Sequence, residues 1–341
     1  MRAVTVHGAG DLRVDELPDP VPGEGEVVVA VEWGGICGSD LAYWRHGRSG
    51  TAVLREPLVL GHEVAGRVAR VGPGVTGVEE GLAVTVHPAE LVGDGRMPER
   101  LAGRTNLYPR VRYFGSAAFS PHTNGGFCDL KTVAARQLRP LPEGVDTRSG
   151  ALAEPLAVAC HAVGRAGDVA GRDVFVNGAG PIGSLVVAAL RHAGAARITV
   201  ADLGRAPLEV ARAMGADDTR DLSNGDALPE DAELVFEASG APAALGGVLR
   251  ATARGGTLVQ VGNLPGTPAP AALGELVTRE ITWIGSYRFV EEIDEALAAM
   301  AAGLDVTPLM THSFPVGEAH EAMRTAADPA SGSSKVMLRF A

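Results

Sequence analysis

Cys37 and Ser39 lie in Gly35-Ile-Cys-Gly-Ser-Asp40, His62 and Glu63 in Leu60-Gly-His-Glu63, and Glu154 opens Glu154-Pro-Leu-Ala-Val158. Thiol sulfur, imidazole nitrogen and carboxylate oxygen are the atoms zinc takes, and a catalytic zinc uses three protein ligands and keeps a fourth position open. Cys37, His62 and one or both of Glu63 and Glu154 meet that description. Taken singly, each has an ordinary explanation: a small buried thiol, a core histidine, a surface carboxylate. The Gly178-Ala-Gly-Pro-Ile-Gly183 turn in the same chain changes the weighting. Hydride removal from an alcohol needs a Lewis acid to stabilise the alkoxide, and zinc can bring a bound oxygen's pKa to about 7. Metal-ligand types beside a dinucleotide turn therefore point to zinc-assisted hydride transfer. Ser39 can pass the alcohol proton toward solvent and Asp40 can orient a ligating imidazole; both residues also suit a turn.

The turn fits G-x-G-x-x-G and stands between a β-prone run, 173–177, and a segment whose Ile182, Leu185, Val186, Ala189 and Leu190 recur at helical spacing. Gly178 permits the tight bend, Gly180 lets the backbone approach a pyrophosphate, and Gly183 lets helix and strand pack closely; the phosphates lie near the positive helix N-terminus. Pro181 and Ile182 complete this cofactor-binding turn. Asp202 ends the next strand, about 20 residues on, where a carboxylate accepts hydrogen bonds from the adenosine ribose hydroxyls and repels a 2′-phosphate. NAD is favoured, and Arg205 is close enough to leave NADP open.

The elements that must hold these groups divide the chain in two. Its 341 residues suit two cores. From residue 1 to 150 short β-rich runs such as 27–31 and 65–71 alternate with Gly and Pro, which reads as a barrel-like β-domain. From 151 to 290 strand, turn and helix alternate, the pattern of βαβ units and a doubly wound parallel sheet of about six strands. The remainder, 291–341, is expected to return to the first domain. The segment from Pro88 to Pro109 has no periodicity and is expected to form a lobe or lid. A net charge of -11 argues against nucleic-acid and anionic-membrane partners, which demand a basic face. No apolar run approaches the roughly 18 residues of a membrane span, and the N-terminus lacks a signal-peptide pattern. Three widely separated cysteines suit a reducing compartment, so a cytoplasmic protein is expected.

Together these motifs resemble the zinc-dependent medium-chain alcohol/polyol dehydrogenases, particularly the sorbitol and L-idonate 5-dehydrogenase branch. Gly285-Ser-Tyr-Arg-Phe289 adds a further family-like motif, and the order of motifs matches over nearly the whole length. The resemblance implies a GroES-like β-domain with a Rossmann domain, metal ligation by Cys37, His62 and Glu63, a ligand or water-holding role for Glu154, and a proton relay through Ser39. It also implies a homodimer or homotetramer. Phe114-Gly-Ser-Ala117, Pro121-His122 and Gly125-Gly-Phe127 look more like idonate than sorbitol dehydrogenases, and Arg288 could pair with a substrate carboxylate. Tyr43, Phe114 and Tyr287 are candidate substrate-pocket walls, with core packing an equal alternative.

Two departures stand out. The lobe from about 86 to 110 carries no cysteine, whereas relatives place four there around a structural zinc; Val92, Gly95 and Pro98 stand near the ligand places. One zinc per subunit is expected, with the lobe held by packing or left mobile. Ala42 stands where many relatives carry a histidine that ends the proton relay, so Ser39 must discharge through cofactor ribose and water. The substrate could be a polyol, a sugar acid, a cyclitol or an amino sugar. A non-catalytic NAD-binding sensor is the alternative of another class.

Overall fold

The computed structural model describes residues 1–340, which divide into two compact units. The first comprises Met1–Glu154, Ala296–Ala301 and Met310–Ala341, and the second Pro155–Glu295 and Ala302–Leu309. The division falls inside the helix Ala153–Ala166, so Glu154 belongs with the first unit.

The first unit is built on a seven-stranded sheet. Glu26–Gly35 is its hub, pairing antiparallel with Glu63–Val71, Leu130–Ala134 and the terminal Lys335–Arg339. A strand buried on both faces explains the hub: Val27, Val28, Val29 and Val31 are all buried, and Val27 and Val29 meet Val68, Val84, Val86 and Val133 in one apolar cluster. The terminal strand brings Lys335 into this sheet through Met337 opposite Gly35, and it pairs parallel with Met310–Pro315.

The cysteine-free lobe is packed. Ala89–Leu91 and Val111–Tyr113 form a two-stranded ribbon over Tyr108, Met97 and their neighbours. The Tyr108 hydroxyl accepts the Gly95 N–H at 3.2 Å and donates to the Val92 carbonyl at 3.3 Å, which ties two separate parts of the lobe together. Tyr108→Phe should cost about 1 kcal/mol locally, read as faster amide exchange at Gly95. Unchanged exchange there would show that packing alone holds the lobe.

The second unit is a six-stranded sheet in the order 218–221, 197–202, 173–177, 232–237, 252–260, 282–285, and every pair of neighbours is parallel. The helices Pro181–His192, Arg205–Ala213, Leu245–Ala251 and Leu273–Thr278 follow successive strands. This is the doubly wound Rossmann arrangement, and its order reverses between 173–177 and 232–237, the crevice where such sheets bind ligands. The connection 222–231 holds only a short 3-10 turn, Leu222–Asn224, and no α-helix. A groove of about 700 Å³, lined by Arg172, Arg197 and Arg220 together with Asp173, Asp218 and Glu230, lies at the opposite, amino ends of the strands. No described helix is long and apolar enough to cross a membrane.

Candidate active site

Cys37 is the residue before the helix Gly38–His46, reached directly from the end of the hub strand. His62 and Glu63 stand where the chain enters the strand Glu63–Val71, whose Glu63 is registered opposite Gly35. Gly61, just before the imidazole, has φ +92°, and a Cβ there would run into the ring of the fully buried Phe127. Only glycine fits both demands, so Gly61 fixes how His62 is presented.

One sulfur, one nitrogen and one oxygen from Cys37, His62 and Glu63 all lie within 4.8 Å of one another. Ligand atoms around a tetrahedral zinc stand roughly 3.3–3.8 Å apart, so the set needs only a small contraction. His62 and Glu63 are 7 % and 1 % exposed. Glu154 is buried too, and the Tyr113 hydroxyl donates to its Oε1 at 2.5 Å. The Tyr113 ring also packs edge-on to His62, with centroids 5.8 Å apart.

Charge gives a second test of the fit. Burial alone would lower the pKa of His62, yet it lies well above the ordinary value because Cys37, Glu154 and Asp40 surround the ring with negative charge. Burial raises the carboxyls of Asp40 and Glu154, opposed in each case by His62. The interior thus favours added positive charge, and a divalent cation supplies it on donor atoms that zinc prefers. The residues fit a zinc ion.

Two polar groups at this cluster escape sequence reasoning. Lys335, 2 % exposed, places Nζ at 2.7 Å from both oxygens of Glu63 and at 3.1 Å from the Ile36 carbonyl. Burial lowers its pKa, but Glu63, Cys37 and Glu154 outweigh that and raise it. The only trace in the sequence is a lysine just ahead of the apolar run Val336-Met-Leu338 in the strand Lys335–Arg339. Tyr113 is the other, hidden beside Phe114. Asp40 is tied to the main chain: its oxygens accept the backbone N–H groups of Cys37 at 2.9 Å and Gly61 at 3.1 Å. It therefore locks the two ligand-bearing loops together through the main chain.

Ser39 and Ala42 lie half-buried on the helix Gly38–His46. Tyr43 is 3 % exposed in the core cluster of the first unit, and its hydroxyl accepts the Ala117 N–H at 3.0 Å. Phe114, 7 % exposed, belongs to the valine cluster, with Lys131 Nζ 4.5 Å from its ring centroid. Both rings pack in the first unit's apolar clusters.

In the second unit Gly178 has φ +100° and the helix Pro181–His192 begins with Pro181 and Ile182, both half-buried. Gly180 precedes that helix in an extended conformation, and a Cβ on Gly183 would strike the Gly178 carbonyl. Asp202 closes the neighbouring strand, where its oxygens accept the N–H groups of Ala179 at 2.7 Å and Gly204 at 2.8 Å. This draws it against the glycine turn. Arg205 is mostly exposed and paired with Glu209 at 3.1 Å. Tyr287 is exposed, and the Arg288 guanidinium lies 5.0 Å from its ring centroid. Arg288 has φ +54°, a conformation that costs a bulky side chain about 1 kcal/mol or more and that clusters at functional sites.

Comparison with known proteins places this geometry in context. Residues 23–143 match the alcohol dehydrogenase GroES-like domain and residues 181–302 the zinc-binding dehydrogenase domain. The chain is 37 % identical over 338 residues to sorbitol dehydrogenase of Gallus gallus, covering 95 % of this chain and 92 % of that protein. It is 37 % identical over 319 residues to L-idonate 5-dehydrogenase (NAD(P)(+)) of Escherichia coli K12, covering 92 % and 91 %. The crystal structure of L-idonate 5-dehydrogenase from Escherichia coli K-12 superposes with a TM-score of 0.92 at 35 % identity, covering 99 % of this chain and 98 % of that one.

Proposed function

Since this chain belongs to the zinc-dependent medium-chain alcohol dehydrogenases, within their polyol and sugar-acid branch, we propose that it oxidises a secondary alcohol of a sugar acid or polyol to the ketone with NAD as hydride acceptor. The observation that carries this reading is the meeting of donor atoms from half-buried Cys37 and buried His62 and Glu63.

Cys37, His62 and Glu63 would hold one zinc ion, with Glu154 as a ligand or as the carboxylate that retains water beside it. When bound, the ion supplies the Lewis acidity that makes a hydroxyl acidic near neutral pH. Ser39 takes the hydroxyl proton and, with Ala42 unable to accept it, releases it through the cofactor ribose and water. Tyr113 fixes the orientation of Glu154 by donating to one oxygen, leaving the other for metal or water. Asp40 holds the Cys37 and His62 loops in register, so both donors stand in place before substrate arrives.

Gly178, Gly180, Pro181, Ile182 and Gly183 bind the pyrophosphate at the helix N-terminus. Asp202 faces the adenosine ribose and disfavours a 2′-phosphate, and Arg205, engaged with Glu209, offers that phosphate little. The Escherichia coli relative's name includes both NAD and NADP, and NAD is proposed here from Asp202. A homodimer or homotetramer is proposed from the family.

Arg288 gives the sugar-acid reading its test. Its fork suits a carboxylate, and its left-handed backbone marks a constrained position. Zinc-loaded protein screened against aldonates, polyols and cyclitols with NAD should reduce the cofactor with an aldonate. Arg288→Ala should then raise the KM for the aldonate about tenfold more than that for a neutral polyol. Equal losses would remove the sugar acid and leave the polyol, while cofactor binding without turnover of any alcohol would favour a sensor.

A further inference from the structure

Next to the glycine turn lies a carboxylate that the proposed chemistry leaves unused. Glu237 ends the strand 232–237 and is completely buried. Its Oε1 accepts the Ser239 N–H at 2.9 Å, Asn177 Nδ2 at 3.2 Å and the Ser239 hydroxyl. Its Oε2 accepts Gln260 Nε2 at 2.5 Å and the Gly240 N–H at 3.3 Å. Every partner is a donor and none is charged, so the network is built around an anion without a counter-ion among the described residues.

These partners come from the carboxyl ends of three neighbouring strands, 173–177, 232–237 and 252–260. The Glu237 carbonyl adds bonds from Val261 and Gly262, each 2.8 Å. The clamp reaches the glycine turn itself, because a Cβ on Gly178 would stand 2.6 Å from the Ser239 nitrogen. Ligands of open α/β sheets bind outside these carboxyl ends, at the reversal of strand order, so an unpaired buried charge there must act on whatever charge the ligand brings.

We propose that Glu237 is a positioning residue with an electrostatic role: it clamps the three loops at the cofactor crevice, and its negative charge favours the positively charged oxidised nicotinamide ring over the neutral reduced ring. The inference rests on the reading that this chain binds a nicotinamide dinucleotide. In an interior of effective dielectric near 20, one such charge shifts the balance between a charged and a neutral ring on the order of tenfold, and salt trims that figure. A purely structural clamp predicts something else, since slack loops weaken both redox forms alike.

The test is the pair of dissociation constants for NAD+ and NADH, measured by calorimetry on the intact protein. Glu237→Gln should weaken NAD+ about five- to tenfold more than NADH. Gln260→Lys places an ammonium against the same carboxylate, cancels its charge by a different route, and should shift the ratio in the same direction. Gln260→Leu keeps the charge while losing the amide's bonds to Glu237 and to the Gly262 carbonyl, and should leave the ratio unchanged. An unaltered ratio in Glu237→Gln overturns the proposal, and Gln260→Lys decides the matter if the first variant does not fold. Wild-type protein that binds neither form would instead refute the cofactor reading.

Discussion

Cys37→Ser is expected to abolish stoichiometric metal binding and to lower kcat/KM at least about a thousandfold, roughly 4 kcal/mol of lost transition-state stabilisation. Two features make the effect large. The sulfur is the one soft donor in the set, and a serine hydroxyl is a far poorer zinc ligand than a thiolate. The remaining donors, His62 and Glu63, are buried, and Glu63 is also held by Lys335, so neither has room for the larger shift that compensation would need. Elemental analysis should find about one zinc per wild-type chain and almost none in the variant. The glycine turn belongs to the other compact unit, so NAD affinity should be retained, and that control separates loss of metal from loss of fold. A variant that keeps both metal and turnover would refute the metal site proposed for Cys37.

The same residues mark how far the sequence could be read. Cys37, His62 and Glu63 were legible because each sits in a short motif whose residue types have few other uses in combination. The parallel sheet was legible because strand, glycine turn and helical spacing follow one another locally between 173 and 192. Lys335 was not, since its partner is 272 residues away and a long-range pairing leaves no local pattern. Tyr43 and Phe114 show a different limit: an aromatic ring beside a family motif has the same sequence signature whether it lines a pocket or fills a core, and its neighbours, Leu58 and Leu60 for Tyr43 and Val68 and Val133 for Phe114, lie far off in sequence. Asp40 was legible as a support for the ligands, but its route through main-chain N–H groups depends on the Gly61 loop lying beside it. Glu237 was invisible, because five donors converge on it from three strand ends.

Lys335→Met is expected to destabilise the metal-free protein by about 3–5 kcal/mol, the usual cost of stranding one member of a buried ion pair. Methionine keeps the unbranched apolar stem and removes the ammonium, so packing changes little and the loss falls on Glu63. A zinc ion held by Glu63 supplies the missing positive charge. Zinc should therefore stabilise the variant more than the wild type, and the metal-induced rise in Tm, measured on chelator-treated protein before and after adding zinc, should be larger for Lys335→Met. Glu63→Gln combined with Lys335→Met removes both charges, so much of the single-variant loss should return as a coupling energy in the double-mutant cycle. Equal zinc-induced shifts in wild type and variant would mean that metal and lysine do not share Glu63. The metal would then rest on Cys37, His62 and Glu154, with the Glu63–Lys335 pair serving only to join the entry to the strand Glu63–Val71 to the strand Lys335–Arg339.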